Sequence, residues 1–440
     1  MAVDARLYNG TRDVLPEELI PRGELLKSLV ATFESFGFAP LETPAMEYLD
    51  ILLGKYGADG EKLIYKLAYK GGEVLALRYD LTVPLSRMVA MNPELPLPFK
   101  RYQIQPVWRA DRPQPAQGRF REFIQCDVDT VGTASIAADA ENVAVVAKGI
   151  RALGLERFEV RINHRRLLRG MVEASGIARS DEANVLRAVD KLDKIGREGV
   201  VKELTELAVA PECQARLLAF MDVSGSSSEV LKAAEAHLGG SEDARVAIAE
   251  LRELLELASA LGVDEQRLQV DFHLTRGLDY YTGPIYEVRL LELENFGSLG
   301  GGGRYDDLMS IYGGAAVPAT GVSIGLSRVL AALLKLGRLQ QRSTPSQALV
   351  FRLADTPMQE VLKLCTELRN SGVACEPYYD ADRLKKQFLL AERKGISCAV
   401  LLGSSEIAEG KATLKHLKSG VQETVARSDL ARRIRELSHV

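Results

Sequence analysis

Residues 165 to 262 read as a block of helices, rich in Ala, Leu, Glu, Lys and Arg, with Gly or Ser breaks around 176, 224 and 239, yet strand-like text stands on both sides of it. Arg157-Phe-Glu-Val-Arg-Ile-Asn163 precedes the block, and Leu268-Gln-Val-Asp-Phe-His-Leu274 and Ile285-Tyr-Glu-Val-Arg-Leu290 follow it. That order predicts one sheet domain carrying a helical insertion, rather than a sheet domain followed by a helical one. Upstream, residues 17 to 36 repeat apolar positions at helical spacing (Leu19, Leu25, Leu26, Leu29, Val30, Phe33), and two prolines between Phe38 and Met46 impose extended backbone. From about 62 to 133 the text is strand-like, with short β-rich runs joined by turns, which predicts a largely antiparallel sheet. A helix is expected over 134 to 153. After a polar linker at 339 to 346, strand and helix alternate through Gln347-Ala-Leu-Val-Phe351, 357 to 371, Val373 to Pro377, 382 to 395 and Cys398 to Gly403, predicting a small α/β domain with a partly parallel sheet.

At 440 residues the chain calls for two to four domains. Its hydrophobic content of 46% and charged content of 26% are those of a soluble protein. No apolar run approaches the roughly 20 residues of a membrane span, and MAVDARLYNG lacks a signal-peptide core, so a cytoplasmic protein is expected. Five cysteines at odd spacings argue against both a disulfide framework and a zinc site. The net charge of −4 is unevenly spread: residues 341 to 440 hold 16 Lys/Arg against 12 Asp/Glu, leaving 40 against 48 in the first 340. A modestly basic C-terminal unit on an acidic body suits a local polyanion contact, and equally an ordinary solvated surface.

Two polar clusters carry the chemistry. Thr275-Arg-Gly-Leu-Asp-Tyr-Tyr-Thr-Gly283 sets a guanidinium, a carboxylate and two phenols beside glycines, and Val107 to Asp129 holds arginines, carboxylates and aromatics. Either can serve a small polar ligand, and the first can equally be a tight turn. The run Gly297 to Asp306 lacks the Lys-Ser or Lys-Thr of a phosphate loop, so its glycines serve close backbone approach to a ligand, or a turn or bulge between strands. The five histidines never fall at metal-ligand spacing and no GxSxG elbow occurs, which sets aside zinc-enzyme and triad-hydrolase readings. Arginine abounds instead: Arg78, Arg101, Arg109, Arg112, Arg119, Arg121, Arg276, Arg304 and Arg328 all lie near glycines or strand edges. Its planar fork suits carboxylate and phosphate together, although a single arginine is more often a surface ion-pair partner.

Arg109-Ala-Asp111, a loop, and Gly118-Arg-Phe-Arg-Glu-Phe123 resemble motif 2 of the class II aminoacyl-tRNA synthetases, and the ending Gln125-Cys-Asp-Val-Asp129 is similar to that of the histidyl-tRNA synthetases. Arg276 to Gly283 and Gly302 to Asp306 resemble that family's two histidine motifs, and Pro318 to Arg328 its motif 3. Asn9 to Pro16 and Phe38 to Met46 resemble the N-terminal signature and motif 1. The resemblance covers nearly the whole chain.

It implies an α+β fold, a class II antiparallel sheet flanked by helices, with an inserted helical domain and a C-terminal α/β anticodon-binding domain. The implied boundaries are 1–164 and 266–338 for the two parts of the catalytic domain, 165–265 for the insertion and 343–440 for the last domain. The implied activity is a histidine-tRNA ligase using ATP, with Mg²⁺ accompanying it, acting on L-histidine and tRNA(His) as a homodimer with no membrane attachment. By carry-over, Arg109 and Arg276 are catalytic and also touch histidine. Asp80, Thr82 and Gln125 surround the ammonium group, Asp129, Tyr280, Tyr281 and Tyr305 the imidazole, and Leu81 also counts as histidine-binding. ATP falls to Arg109, Arg119, Arg121, Phe123 and Arg328. Asp111 stands where the class more often has Glu, and Ser327 where motif 3 is often acidic, which leaves the orientation of Arg328 open. Two rivals are a non-catalytic synthetase-like regulatory subunit of ATP phosphoribosyltransferase and a plain RNA-binding module. The arginine set and the roughly 95 residues after the linker speak against the regulatory subunit.

Overall fold

Alternation on the strands explains why one sheet can hold a core on one face and a polar site on the other. The computed structural model describes residues 3–54, 62–68, 71–238, 240–275, 280–293, 295–312, 316–339 and 341–438. Two compact units are present, Met1–Arg12 with Leu25–Leu339, and Asp13–Glu24 with Gln340–Val440.

In the first unit, β1 (Ala39–Pro40), β4 (Phe99–Trp108), β5 (Glu122–Val131), β6 (Phe158–His164), β7 (Leu268–Val270), β8 (Pro284–Leu290), β9 (Ser298–Arg304) and β10 (Ala319–Gly325) form a sheet in the order β1-β4-β5-β10-β9-β8-β6-β7. The pairings are antiparallel except β1 with β4 and β6 with β7. On β5, Cys126 and Val128 enter the main hydrophobic core, and Gln125, Asp127 and Asp129 take the opposite face, as period-2 alternation requires. β10 repeats the pattern, with Val322 and Ile324 inward and Gly321 and Ser323 opposite. Against the apolar face lie the helix Ile136–Ala152, whose Val143, Val146 and Ile150 are buried, and the end of Pro16–Ser35 through Leu29 and Phe33. Among the described residues six α-helices, from Arg165–Ala174 to Glu242–Ala260, stand between β6 and β7 and share that core through Leu168, Leu217, Ile248 and Leu251. None of the described helices is long and apolar enough to cross a membrane.

Three stretches depart from expectation. The helix Thr82–Met91 falls inside text read as strands. Its Pro84 lies in the first turn, where a missing N–H costs nothing, and Asp80 Oδ1 accepts the Val83 N–H at 3.1 Å. Residues 62–68 make only an isolated bridge to β3 (Leu75–Leu77), which pairs with β2 (Met46–Tyr48). The glycine run is itself a strand in the sheet interior, β9: a Cβ on Gly302 would stand 2.0 Å from Gly321 O, so glycine permits the close approach of β10.

In the second unit, β11 (Ala348–Arg352), β12 (Cys375–Pro377), β13 (Cys398–Leu402), β14 (Lys411–His416) and β15 (Gln422–Ala426) run in the order β12-β11-β13-β14-β15. The first three are parallel and the last two antiparallel additions. Ala348, Val350, Val400 and Leu402 join one core and Leu349, Phe351 and Ala399 another, so the sheet is covered on both faces.

Candidate active site

The polar face of β5 and β10 forms one wall of a cavity of about 590 Å³. Of the residues expected in a site, Asp80, Thr82, Arg109, Arg119, Phe123, Gln125, Asp129, Tyr280, Tyr281, Tyr305 and Arg328 line it together. Two sequence clusters, one ending at Asp129 and the other beginning at Thr275, meet because β5 pairs with β10 and β10 with β9.

Asp129 is fixed from three sides. The Tyr305 hydroxyl donates to its Oδ1, Arg101 Nη2 lies 2.8 Å from its Oδ2, and Gly321 faces it in register, where a Cβ would come 1.9 Å from Oδ1. Burial raises its carboxyl above the usual range, opposed by Arg101 and by the Tyr305 hydroxyl. Tyr280 packs edge-on to both Tyr281 (5.0 Å between centroids) and Tyr305 (5.8 Å), inside an apolar cluster with Leu85, Val89 and Leu308. Burial, then the charges of Asp129, Asp127 and Asp80, keep the Tyr281 phenol protonated.

Arg109 is held flat. Its Nε donates to Tyr79 O at 3.1 Å, Nη2 reaches Gln125 Oε1 at 3.4 Å, and the guanidinium lies over the Tyr79 and Phe123 rings at 4.5 and 5.1 Å. At the far end, the Arg328 Nη2 donates to Phe296 O and the guanidinium lies over the Phe296 ring. Those contacts orient Arg328 although Ser327 is not acidic. Ser327 O touches the turn at Gly118, where φ is +70° and a Cβ would come within 2.4 Å.

Other expected residues lie elsewhere. Leu81 is buried behind the wall and accepts from Arg101 Nη2 at 3.3 Å. Arg121 turns toward the N-terminal segment, donating to Tyr8 Oη and Asn9 O at 3.0 Å and to Asp111 O at 3.2 Å. Arg276 and Asp279 lie outside the described residues. On the second unit, Lys386 and Lys411 pair with Asp382 and Glu409 at the surface.

Arg78, Arg101 and Arg304 are not edge or surface arginines: each is at most 4% exposed. Arg78 binds Thr43 O at 2.6 Å and Pro106 O at 2.9 Å, and Arg304 pairs with buried Asp139. The wall residue Asp127 and Arg101, buried behind the wall against Asp129, were not assigned from sequence. The pattern Gln125-x-Asp127-x-Asp129 carries the signal for Asp127, because three alternate polar residues opposite Cys126 and Val128 cannot all face solvent in a central strand. Among the described residues no group of three His, Cys, Asp or Glu side chains is placed to hold a metal ion.

A family model for histidyl-tRNA synthetase matches residues 10–329, and one for an anticodon-binding domain matches 347–437. A histidine–tRNA ligase of Gloeobacter violaceus is 43% identical, the match covering 94% of this chain and 95% of that protein. The crystal structure of histidyl-tRNA synthetase from Nostoc sp. PCC 7120 superposes with a TM-score of 0.87 at 34% identity, covering 99% of this chain and all of that one. A Bacillus halodurans protein described as an ATP phosphoribosyltransferase regulatory subunit/histidyl-tRNA synthetase shares the fold at 22% identity and a TM-score of 0.76, over 92% of this chain and all of its own. The chain belongs to the histidyl-tRNA synthetase family.

Proposed function

We infer that the chain is a histidine–tRNA ligase. It joins L-histidine to ATP, forming histidyl-adenylate and pyrophosphate, and then passes the histidyl group to the 3′ end of tRNA(His). One observation carries this reading: a single cavity gathers Arg109, the buried Asp129–Tyr305 pair and Arg328, so carboxylate, imidazole and triphosphate chemistries are served in one place.

In the first step a histidine carboxylate oxygen attacks the α-phosphorus, the bond to the leaving pyrophosphate breaks, and negative charge gathers on the non-bridging oxygens. Arg109, already clamped by Tyr79 and Phe123, meets that charge without reorganising. Arg276 serves the opposite side by resemblance alone. Arg328 takes the γ-phosphate end, Arg119 lies near the nucleotide, and Phe123 stacks on adenine. Arg121 ties the N-terminal segment to the same loop through Tyr8, Asn9 and Asp111. Asp80, Thr82 and Gln125 surround the ammonium group, and Asp129, Tyr280, Tyr281 and Tyr305 the ring. A site of buried, paired polar groups rejects analogues that leave one of them unpaired. In the second step a terminal ribose hydroxyl attacks the adenylate carbonyl and AMP leaves.

Magnesium is expected to arrive on the phosphate oxygens of ATP, with few protein ligands of its own. The parts 1–164 and 266–338 form the catalytic domain, 165–265 the insertion and 343–440 the anticodon-binding domain of a cytoplasmic homodimer. Exposed Met46, Tyr48 and Val74 on the β2–β3 ribbon offer an apolar surface for dimerisation. The regulatory-subunit reading is the weaker, since a ligase relative matches across nearly the full chain. The test is charging of tRNA(His) with labelled histidine. The intact chain charges it, and a chain lacking residues 343–440 loses charging far more than histidine activation; full charging by the truncated chain would refute the domain assignment.

A further inference from the structure

Two carboxyls of the cavity wall already have tasks in the reading above, Asp80 at the ammonium group and Asp129 at the ring. Asp127, between Gln125 and Asp129 on the same face of β5, has none, yet it lines the cavity and is 3% exposed. Gln125 Nε2 lies 3.4 Å from its Oδ1 and donates at 3.1 Å to the hydroxyl of Ser323, which faces Asp127 on β10. The charged and titratable groups facing it are Arg101 from β4, Asp129 from its own strand, Asp80 from the head of the helix Thr82–Met91, and Tyr281. Gln103 stands opposite it on β4 and is neutral.

Three carboxylates facing one guanidinium in a buried wall cannot all be ionised cheaply. If one stays protonated, the wall carries a net charge of about −1. If that proton leaves as a substrate ammonium enters, the net charge is unchanged: one positive charge has replaced another.

We propose that Asp127 is a further histidine-binding residue, which holds a proton in the empty cavity and releases it to solvent as the α-ammonium group arrives and pairs with the resulting carboxylate. The proton is supplied by Asp127 alone, and no bond of histidine is made or broken. Burial lifts its carboxyl to about 7, with Arg101 opposing and Asp129 adding, which places the exchange in the physiological range. The folded pKa is raised, so the empty protein holds this proton more tightly than the unfolded chain does. Ammonium binding works against that proton below about pH 7 and is freed of it above. Histidine affinity should therefore strengthen about tenfold from pH 6 to pH 8 through this group.

The proposal rests on histidine being the substrate. Its test is infrared difference spectroscopy of the intact chain with and without L-histidine at pH 6.5, together with histidine titrations at pH 6 and pH 8. Free histidine has no protonated carboxyl at these pH values, so loss of a protonated-carboxyl carbonyl band on binding reports the protein. Wild type should lose such a band, and Asp127→Asn should not. The affinity of wild type should also rise about tenfold more between the two pH values than that of Asp127→Asn, a comparison in which the titration of the histidine ring cancels. Should Asp127→Asn fail to fold, Asp127→Glu replaces it, since its band would move in frequency. Binding without loss of the band, or an identical loss in the variant, overturns the proposal alone. Absence of histidine binding overturns the substrate reading and the proposal with it.

Discussion

Gly321→Ala is the sharpest perturbation of the ring-reading end of the cavity, because it adds one methyl group exactly where Asp129 stands. A Cβ there would lie 1.9 Å from Asp129 Oδ1, 2.5 Å from its Cγ and 2.9 Å from Val128 O. Strand pairing holds the backbone on both sides through Asp129 and Gly303, so the carboxylate must swing away. It then loses the Tyr305 hydroxyl and the Arg101 ion pair, which lies at 2.8 Å. A buried hydrogen bond to a charged group contributes about 1.5–3 kcal/mol. If imidazole binding depends on this carboxylate, KM for histidine rises roughly 10- to 150-fold. KM for ATP should stay within about twofold, since Arg109 and Arg328 are anchored by Tyr79 and Phe296 instead. Histidine-dependent exchange of pyrophosphate into ATP, run with each substrate varied in turn, separates the two constants. Gly325→Ala is the control: its Cβ would meet Leu299 O at 3.4 Å, an ordinary contact, so the fold and both constants should survive. Equal rises in both constants, or an unchanged histidine KM in folded Gly321→Ala, would refute the reasoning.

Other outcomes follow from the same geometry. Tyr281→Phe should weaken histidine activation about tenfold and ATP binding hardly at all; equal losses would count against a ring-reading role. Asp139→Ala leaves Arg304 only the part-exposed Asp306, at 3.2 Å, as a carboxylate partner and removes the 2.7 Å bond from Thr320. Denaturant unfolding should show a loss of about 3–5 kcal/mol, and a loss below about 1 kcal/mol would mean that the pair is replaced by water. Removal of residues 343–440 should spare histidine activation while abolishing charging, as measured by the two assays side by side.

Much of the site was legible because its chemistry is written in short segments. Arg109, Gln125 and Asp129 lie within 21 residues of one hairpin, and alternation puts the last two on one face. What escaped depended on long-range pairing. Arg101 looks like any charged residue in a strand until β1 and β5 close over it from both sides and leave it 0% exposed. Asp127 was hidden by its neighbours, although the same alternation that places Asp129 places it too. The glycines of β9 suggested a loop because glycine weakens an isolated strand; only the closeness of β10 shows why nothing larger fits. Arg121 shares sequence parity with Phe123, but it precedes β5, and the N-terminal segment around Tyr8 and Asn9 captures it. The helix Thr82–Met91 was missed in strand-like text because the place of Pro84 in its first turn goes with Asp80 capping that turn.

The central claim, that this cavity activates histidine with ATP, is tested most directly by pyrophosphate exchange into ATP in the absence of tRNA. Exchange should require L-histidine and be lost in Arg109→Ala. Folded wild-type protein that binds ATP yet shows no histidine-dependent exchange would contradict it.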